Sequence, residues 1–337
     1  KIKFYGMGST KMKKTKATLL IDSSSLAVVG FFEILKIYPK LLKSLYFMKK
    51  SIKNINPDLL ILIDYQEFNM KLAKYAKLKG IKVLFYISPQ IWAWRENRIK
   101  KIKKYIDIMA VIFPFEKKFY ENAGIKSFYV GHPLVQNNLY QKNYSNKSNF
   151  IGFFPGSRFS EVKNHLPIIS RVIENMHNEN QKQEFLVSRS DNIDINIYEK
   201  YFSDKSYVSI VTNENIYKTI DLCKVAVAAS GTITLQIALK KIPLCVFYKL
   251  SNATHFLAKF LIKTKFISLI NIVLGKKVVQ EFIQSDASVE NIKQEIEKMI
   301  IDVKYRENLK NEISGIEKIL ANENSKIDIN EVIRKSL

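Results

Sequence analysis

The chain has 337 residues, of which 47% are hydrophobic; that is long enough for two domains with buried cores and excludes a disordered chain. The formal charge of +23, from 54 basic and 31 acidic residues, attracts polyanions such as nucleic acid, an anionic membrane face or phosphorylated substrates, although lysine-rich composition accounts for a share of it. No apolar run reaches the roughly 18 residues needed to cross a bilayer. Phe256 to Leu274 comes nearest and is broken by Lys259, Lys263 and Lys265.

The chain opens inside a strand, Lys3–Tyr5, that leads to Gly6 and Gly8, so a first βα unit is expected upstream of Lys1. The first residues, Lys-Ile-Lys-Phe-Tyr, do not read as a charged head before an apolar core, so they are not expected to be a secretory signal. Next come two short helices, Phe31–Tyr38 and Lys40–Ile55, parted by Pro39, which suits a first helical position. Phe31, Ile34, Leu35, Tyr38, Leu42, Leu45, Met48 and Ile52 share one face; Lys36, Lys40, Lys43 and Lys50 gather on another. Such a helix either covers a core with a solvated lysine face or lies on a membrane surface.

Leu59–Ile63 reads as a fully buried strand with Asp64 at its carboxyl end, and Asn69 starts the helix Asn69–Leu78. A carboxylate there can act as a general base or can satisfy the turn's own N–H groups. After a strand at Val83–Tyr86, both tryptophans fall in Ser88-Pro89-Gln90-Ile91-Trp92-Ala93-Trp94-Arg95. That loop either stacks on a sugar or grips an acyl chain, or is anchored by buried indoles. Helices Arg98–Tyr105 and Phe115–Asn122 flank a strand at Ile108–Ile112. Gly131-His132-Pro133 closes the half, with His132 either at a ligand or held in a turn by Pro133. The polar stretch Gln136 to Ser148 is the linker.

The second half begins with a strand at Phe150–Phe154, the turn Pro155-Gly156-Ser157-Arg158 and a helix running from Ser160 towards Met176. A strand turning through Gly into a helix sets free N–H groups and the positive helix end at the sheet's carboxyl edge, where phosphate binds. Arg158 adds a permanent charge. An ordinary βα turn would look the same. Strands follow at Glu184–Val187, Tyr207–Ile210, Val225–Ala229 and Leu244–Tyr248. Ser230-Gly231-Thr232, before the helix Ile233–Leu239, forms a second corner of the same kind, with Gln236 one turn further in; Ser230 and Thr232 can cap the helix or donate to phosphate. From Val289 the pattern is helical. Alternating elements argue for an α/β fold with parallel sheets. Cys223 and Cys245 lie in apolar strands and read as inert thiols in a reduced, cytosolic setting. No cluster has metal-ligand spacing, and neither a Ser/His/Asp elbow nor a P-loop occurs.

Taken together, these stretches resemble the lipid-A-disaccharide synthase family. They are Ile63-Asp64-Tyr65-Gln66-Glu67-Phe68-Asn69, Tyr86-Ile87 with the Ser88 to Arg95 loop, Phe113-Pro114-Phe115-Glu116 with Phe119-Tyr120, Gly131-His132-Pro133, Pro155-Gly156-Ser157-Arg158 with Glu161-Val162, Ser230-Gly231-Thr232 and Ser268-Leu269-Ile270-Asn271. The resemblance runs from Gly6 to about Ala287. It implies the GT-B architecture: two Rossmann-like halves facing a cleft, here residues 1–140 for acceptor and lipid and 149–320 for the UDP-sugar, with 321–337 as a C-terminal helix.

The resemblance implies an inverting transfer from UDP-2,3-diacylglucosamine to the 6-hydroxyl of 2,3-diacylglucosamine 1-phosphate (lipid X), giving a β(1→6) disaccharide 1-phosphate on the way to lipid A. No cofactor or metal is implied. Asp64 would be the base and Arg158 would stabilise the departing UDP. Gly156, Ser157, Ser230, Gly231, Thr232, Gln236 and Asn271 would line the UDP site. Phe31, Leu35, Lys43, Trp92, Trp94, Arg95, Phe256 and Lys259 would face lipid or acceptor, at the cytoplasmic face of the inner membrane, with a homodimer compatible. This chain departs from the family pattern at Gln236 (Glu in the family), Ile270 (Pro), Lys276-Lys277 (Arg-Glu) and Glu67 (Asp), and the family's Gly-Glu-x-Ser-Gly-Asp loop is expected upstream of Lys1. Two alternatives compete: another GT-B enzyme on a UDP-sugar, and a basic nucleic-acid-binding protein. No nucleic-acid module signature supports the latter.

Overall fold

The computed structural model describes residues 2–23, 31–94, 98–143, 149–212, 216–250, 264–321 and 327–337, with backbone alone at 10–11, 31–37, 93–94 and 139. All strand pairs among the described residues are parallel. Strands β1 (Tyr5–Gly8) and β2 (Thr18–Asp22) pair with each other. Next, β3 (Leu59–Ile63), β4 (Lys82–Tyr86), β5 (Ile108–Val111) and β6 (Ser127–Tyr129) form a sheet in sequence order. The second half places β7 (Phe150–Phe154), β8 (Phe185–Arg189), β9 (Val208–Thr212), β10 (Cys223–Ala229), β11 (Leu244–Tyr248) and β12 (Glu281–Ile283) in the order β12-β11-β10-β7-β8-β9.

The chain winds outward from β7 to β9, then returns beside β7 at β10 and winds the other way. The seam between β7 and β10 is therefore a topological switch point, the position beyond whose carboxyl ends open α/β sheets bind ligands. The turns at Gly156 and Ser230 follow these two strands. Small residues permit this seam: Val225 to Ala229 are all buried beside Ile151 to Phe154.

Three sequence expectations change in the structure. The first strand is shifted to Tyr5–Gly8, and β2, β6 and β12 were not anticipated. The expected pair of helices is one continuous helix, Phe31–Ile55, with Pro39 inside it. Pro39 is exposed and has no N–H to donate, so the helix runs through it with one backbone bond fewer. Finally, Leu59–Ile63 is not fully buried. It is an edge strand, and Ile63 is 55% exposed. Between it and the β1–β2 pair lies an apolar cavity of about 1490 Å³, lined by Tyr5, Met7, Leu60, Ile61, Phe68 and Ile333 among others.

The halves are joined through side chains as well as by the chain. Val135, just before the expected linker, and Tyr140, within it, pack into the second-half core. Tyr129 Oη donates to Ile319 O (2.6 Å), His132 N to Leu320 O (2.9 Å) and Tyr140 Oη to Glu317 (2.8 Å), all on the helix Val303–Ala321. The last helix, Ile329–Ser336, returns to the first half and buries Val332 against Leu84, Ile108, Ala110 and Val130. Among the described residues, no helix is long and apolar enough to cross a membrane, and no group of three His, Cys, Asp or Glu could hold a metal. Cys223 and Cys245 are free and buried, and burial pushes the Cys223 thiol up to about 12.

Candidate functional site

At the end of β3 the backbone turns left-handed twice, at Asp64 (φ 49°) and Tyr65 (φ 37°). Two such residues without glycine cost of order 1–3 kcal/mol each and persist only where neighbours enforce them. Asn69, buried one turn into the helix Gln66–Leu78, does so: its Nδ2 donates to Ile63 O (3.0 Å) and Asp64 O (2.8 Å). Asp64 N donates to Tyr86 O on the neighbouring strand (3.2 Å). Asp64 itself is exposed, so its carboxylate is presented rather than spent on the core. Glu67 pairs with Arg98.

The Gly156 corner is built around a carboxylate that the motif contains but to which sequence reasoning assigned no role. Glu161, on the first turn of the helix Phe159–Glu179, is 7% exposed. Its Oε2 accepts from Ser157 N and Arg158 N (3.3 Å each); its Oε1 accepts from Arg158 Nη1 (2.7 Å) and Tyr248 Oη (2.9 Å). Gly156 has φ 108°, and a Cβ there would stand 2.6 Å from Glu161 Oε2. Glycine is therefore required for the approach of Glu161. Two of the N–H groups that the sequence suggests for phosphate are already satisfied within the protein. Glutamate three residues after the helix cap was the available signal. Burial pushes the Tyr248 hydroxyl up to about 12, with Glu161 adding to the rise, so it stays a donor at neutral pH.

His165 holds the other side of this corner. It is fully buried; Nδ1 contacts Pro155 O (2.7 Å) and Nε2 accepts from Lys249 N (3.1 Å). That pattern fixes the neutral tautomer with Nδ1 protonated, and burial lowers its pKa.

At the Ser230 corner, Ser230 Oγ donates to Ile267 O (2.7 Å) and does not cap the helix Thr232–Leu239. Thr232 is exposed and Gly231 and Gln236 are half-buried at the same helix end. Asn271 stands differently from expectation. It is fully buried, and its Nδ2 donates to Val279 O (2.9 Å) and Glu281 Oε1 (2.8 Å) while Oδ1 accepts from Val278 N (2.8 Å) and Val279 N (3.0 Å). With all four positions used, Asn271 holds its loop and has no group left for a ligand. Glu281, unmarked in the sequence, accepts from Ile267 N and Ser268 N (2.9 Å each) and so ties the strand end to the segment that receives Ser230. Lys276 pairs with Glu312.

The aromatic loop is anchored from below. Glu116, 1% exposed, accepts from Ser88 Oγ (2.7 Å) and Trp92 Nε1 (3.0 Å) through Oε1 and from Phe113 N (3.2 Å) through Oε2. Trp92 also packs edge-on against Phe115, so its indole serves as an anchor. Burial pushes Glu116 up to about 7. His132 is buried, caps the helix Pro133–Gln136 by accepting from Leu134 N (3.1 Å), and is lowered by burial to about 4. Trp94's side chain, Arg95, Phe256 and Lys259 lie outside the described residues, as do the side chains of Phe31 and Leu35. Lys43 is exposed on the helix Phe31–Ile55, beside an exposed row of Tyr38, Leu42 and Tyr46.

Two halves built on parallel α/β sheets are also the architecture of known nucleotide-sugar enzymes. UDP-GlcNAc 2-epimerase from Neisseria meningitidis, solved bound to UDP-GlcNAc, superposes with a TM-score of 0.61 at 12% identity, covering 99% of this chain and 100% of that one. MurG of Acinetobacter baumannii gives 0.52 at 12% identity, covering 98% of this chain and 88% of that one. The fold is thus of the GT-B class, shared by glycosyltransferases and epimerases. Within that class, the lipid-A-disaccharide synthetase family model matches residues 1–335, and the chain belongs to that family. Lipid-A-disaccharide synthase of Trichlorobacter lovleyi is 40% identical over 311 residues, 90% of this chain and 81% of that protein. The Nitrosococcus oceani protein of the same name is 37% identical over 325 residues, 94% of this chain and 84% of that one.

Proposed function

We propose that this chain is a glycosyltransferase that makes the lipid A disaccharide, joining UDP-2,3-diacylglucosamine to 2,3-diacylglucosamine 1-phosphate with inversion and release of UDP. Membership of the family over residues 1–335 carries the reading. In it, residues 1–140 receive the acceptor and 149–320 the UDP-sugar. Asp64 takes the proton from the acceptor 6-hydroxyl as that oxygen attacks the sugar's anomeric carbon from the face opposite UDP. Its exposure on an enforced left-handed turn supports the role. Arg158 and the helix end at Thr232 meet the charge growing on the departing diphosphate. Ser157, Gly156, Gly231 and Gln236 complete that wall; Ser230 and Asn271 act one step back, by holding it. No metal is needed where arginine and helix ends carry the charge.

Both substrates carry acyl chains, so the site has to meet a membrane. The exposed row Tyr38, Leu42 and Tyr46, with Phe47 beside it and Lys43 and Lys50 nearby, suits the cytoplasmic, anionic face of the inner membrane.

The test is mass spectrometry of products from the two named substrates. A disaccharide 1-phosphate is expected from the wild type, with turnover lowered roughly 10²–10⁴-fold by Asp64→Ala, the range for a lost general base. Unchanged turnover in that variant removes Asp64 from the mechanism. Transfer from unacylated UDP-GlcNAc in preference to the acylated donor would favour the other GT-B reading.

A further inference from the structure

We infer that Glu161 is a positioning residue for Arg158, setting where the guanidinium waits before a diphosphate arrives. The inference rests on the reading above, in which Arg158 meets departing UDP. Arg158's side chain is 69% exposed, and a long side chain in water samples many rotamers unless something fixes it. Glu161 is suited to fix it, because its own side chain is only 8% exposed. Its carboxylate is pinned by Ser157 N and Arg158 N from its own turn and by Tyr248 Oη from the end of β11.

The partner is therefore anchored to two elements before it touches the guanidinium. Arg158 gives it Nη1, one of the five N–H donors of a guanidinium being enough for that bond, and the planar fork retains donors for an anion. A charge-assisted bond of 2.7 Å is among the stronger ones. Gly156 belongs to the same device, since its missing Cβ makes room for Glu161 Oε2. This reassigns the turn. Its Ser157 and Arg158 N–H groups hold a carboxylate that aims a cation, instead of holding phosphate directly.

The test is a double-mutant cycle of Glu161→Gln and Arg158→Lys, read by UDP affinity in calorimetry and by kcat and KM in the disaccharide assay. The amide oxygen of Gln can still accept from Ser157 N and Arg158 N, but its NH₂ cannot accept from Arg158 or Tyr248. Alone, Glu161→Gln is expected to lower kcat roughly 10- to 100-fold, the worth of a displaced charge contact, with the donor KM changed less. In the Arg158→Lys background it should add almost nothing. Full additivity in both readouts, or kcat within twofold of wild type, overturns the positioning role and leaves the proposed reaction standing. A wild type that binds no UDP overturns both. Should Glu161→Gln fail to fold, Tyr248→Phe loosens the same carboxylate with the charge intact. It is then expected to show the same kcat loss and non-additivity with Arg158→Lys, and additivity there also overturns the inference.

Discussion

Replacing Asn271 by Ala separates a loop-holding residue from a ligand contact. The substitution deletes four buried hydrogen bonds, two to backbone N–H groups, one to a carbonyl and one to the Glu281 carboxylate. Neutral bonds are each worth about 1 kcal/mol net and one to a charged group about 2, so the sum is about 5 kcal/mol. Partial relaxation, with water reaching some of the orphaned groups, brings the expected loss to about 4 kcal/mol. At roughly 2–4 °C per kcal/mol for a domain of this size, the melting transition of the second half should fall by about 8–16 °C. Differential scanning calorimetry checks this, and UDP titration well below the transition checks the site. Wild-type-like affinity is expected at low temperature, because Asn271 reaches no ligand directly. An unchanged transition with lost UDP affinity would refute the structural role and restore Asn271 as a nucleotide contact.

Four other outcomes follow from buried groups and surfaces. Glu116 is raised to about 7 from the usual 4.5, so the folded state holds its proton longer than the unfolded chain does. Its contribution to stability is full below pH 4.5 and is lost as pH rises through 7, by roughly 3 kcal/mol. Glu116→Gln should flatten that decline in unfolding midpoints between pH 5 and 7.5. His132, lowered from 6.5 to about 4, has the opposite sense: its contribution is full above 6.5 and is lost as pH falls through 4, again by roughly 3 kcal/mol, and His132→Asn should reduce acid sensitivity. Val332 is 1% exposed against the first-half sheet, so Val332→Asp should cost more than about 3 kcal/mol in urea unfolding, although it lies in the last helix. Leu42→Asp with Tyr46→Asp should leave stability within about 0.5 kcal/mol, as exposed changes do, while lowering co-sedimentation with phosphatidylglycerol vesicles.

The local chemistry of the strand ends was legible from the chain. Leu59–Ile63 and Phe150–Phe154 were bounded correctly because a short apolar run stopped by Asp or Pro-Gly carries its limits with it. The Gly156 and Ser230 turns were legible for the same reason, as glycine between a strand and a helix is a local signal. Whether a strand is central or at an edge is decided by its neighbours, so the half-exposure of Leu59–Ile63 had no mark in its composition. β6 and β12 have three residues each, too short for any periodicity. Pro39 reads as a break because proline locally disfavours a helix interior, and only the folded chain shows one helix running through it.

The electrostatics of the site lay beyond the sequence for a different reason. Glu161 is one carboxylate among 31 acidic residues until β11 brings Tyr248 beside it, 87 positions away along the chain. Asn271 looks like a ligand residue until Val278, Val279 and Glu281 fold back onto its amide. The chain by itself determined the family, the α/β class and which turns could face a ligand, since those reside in contiguous motifs. Tertiary structure decided which polar groups remain free at those turns, because hydrogen-bonding capacity is consumed by partners that only the pairing of distant strands supplies.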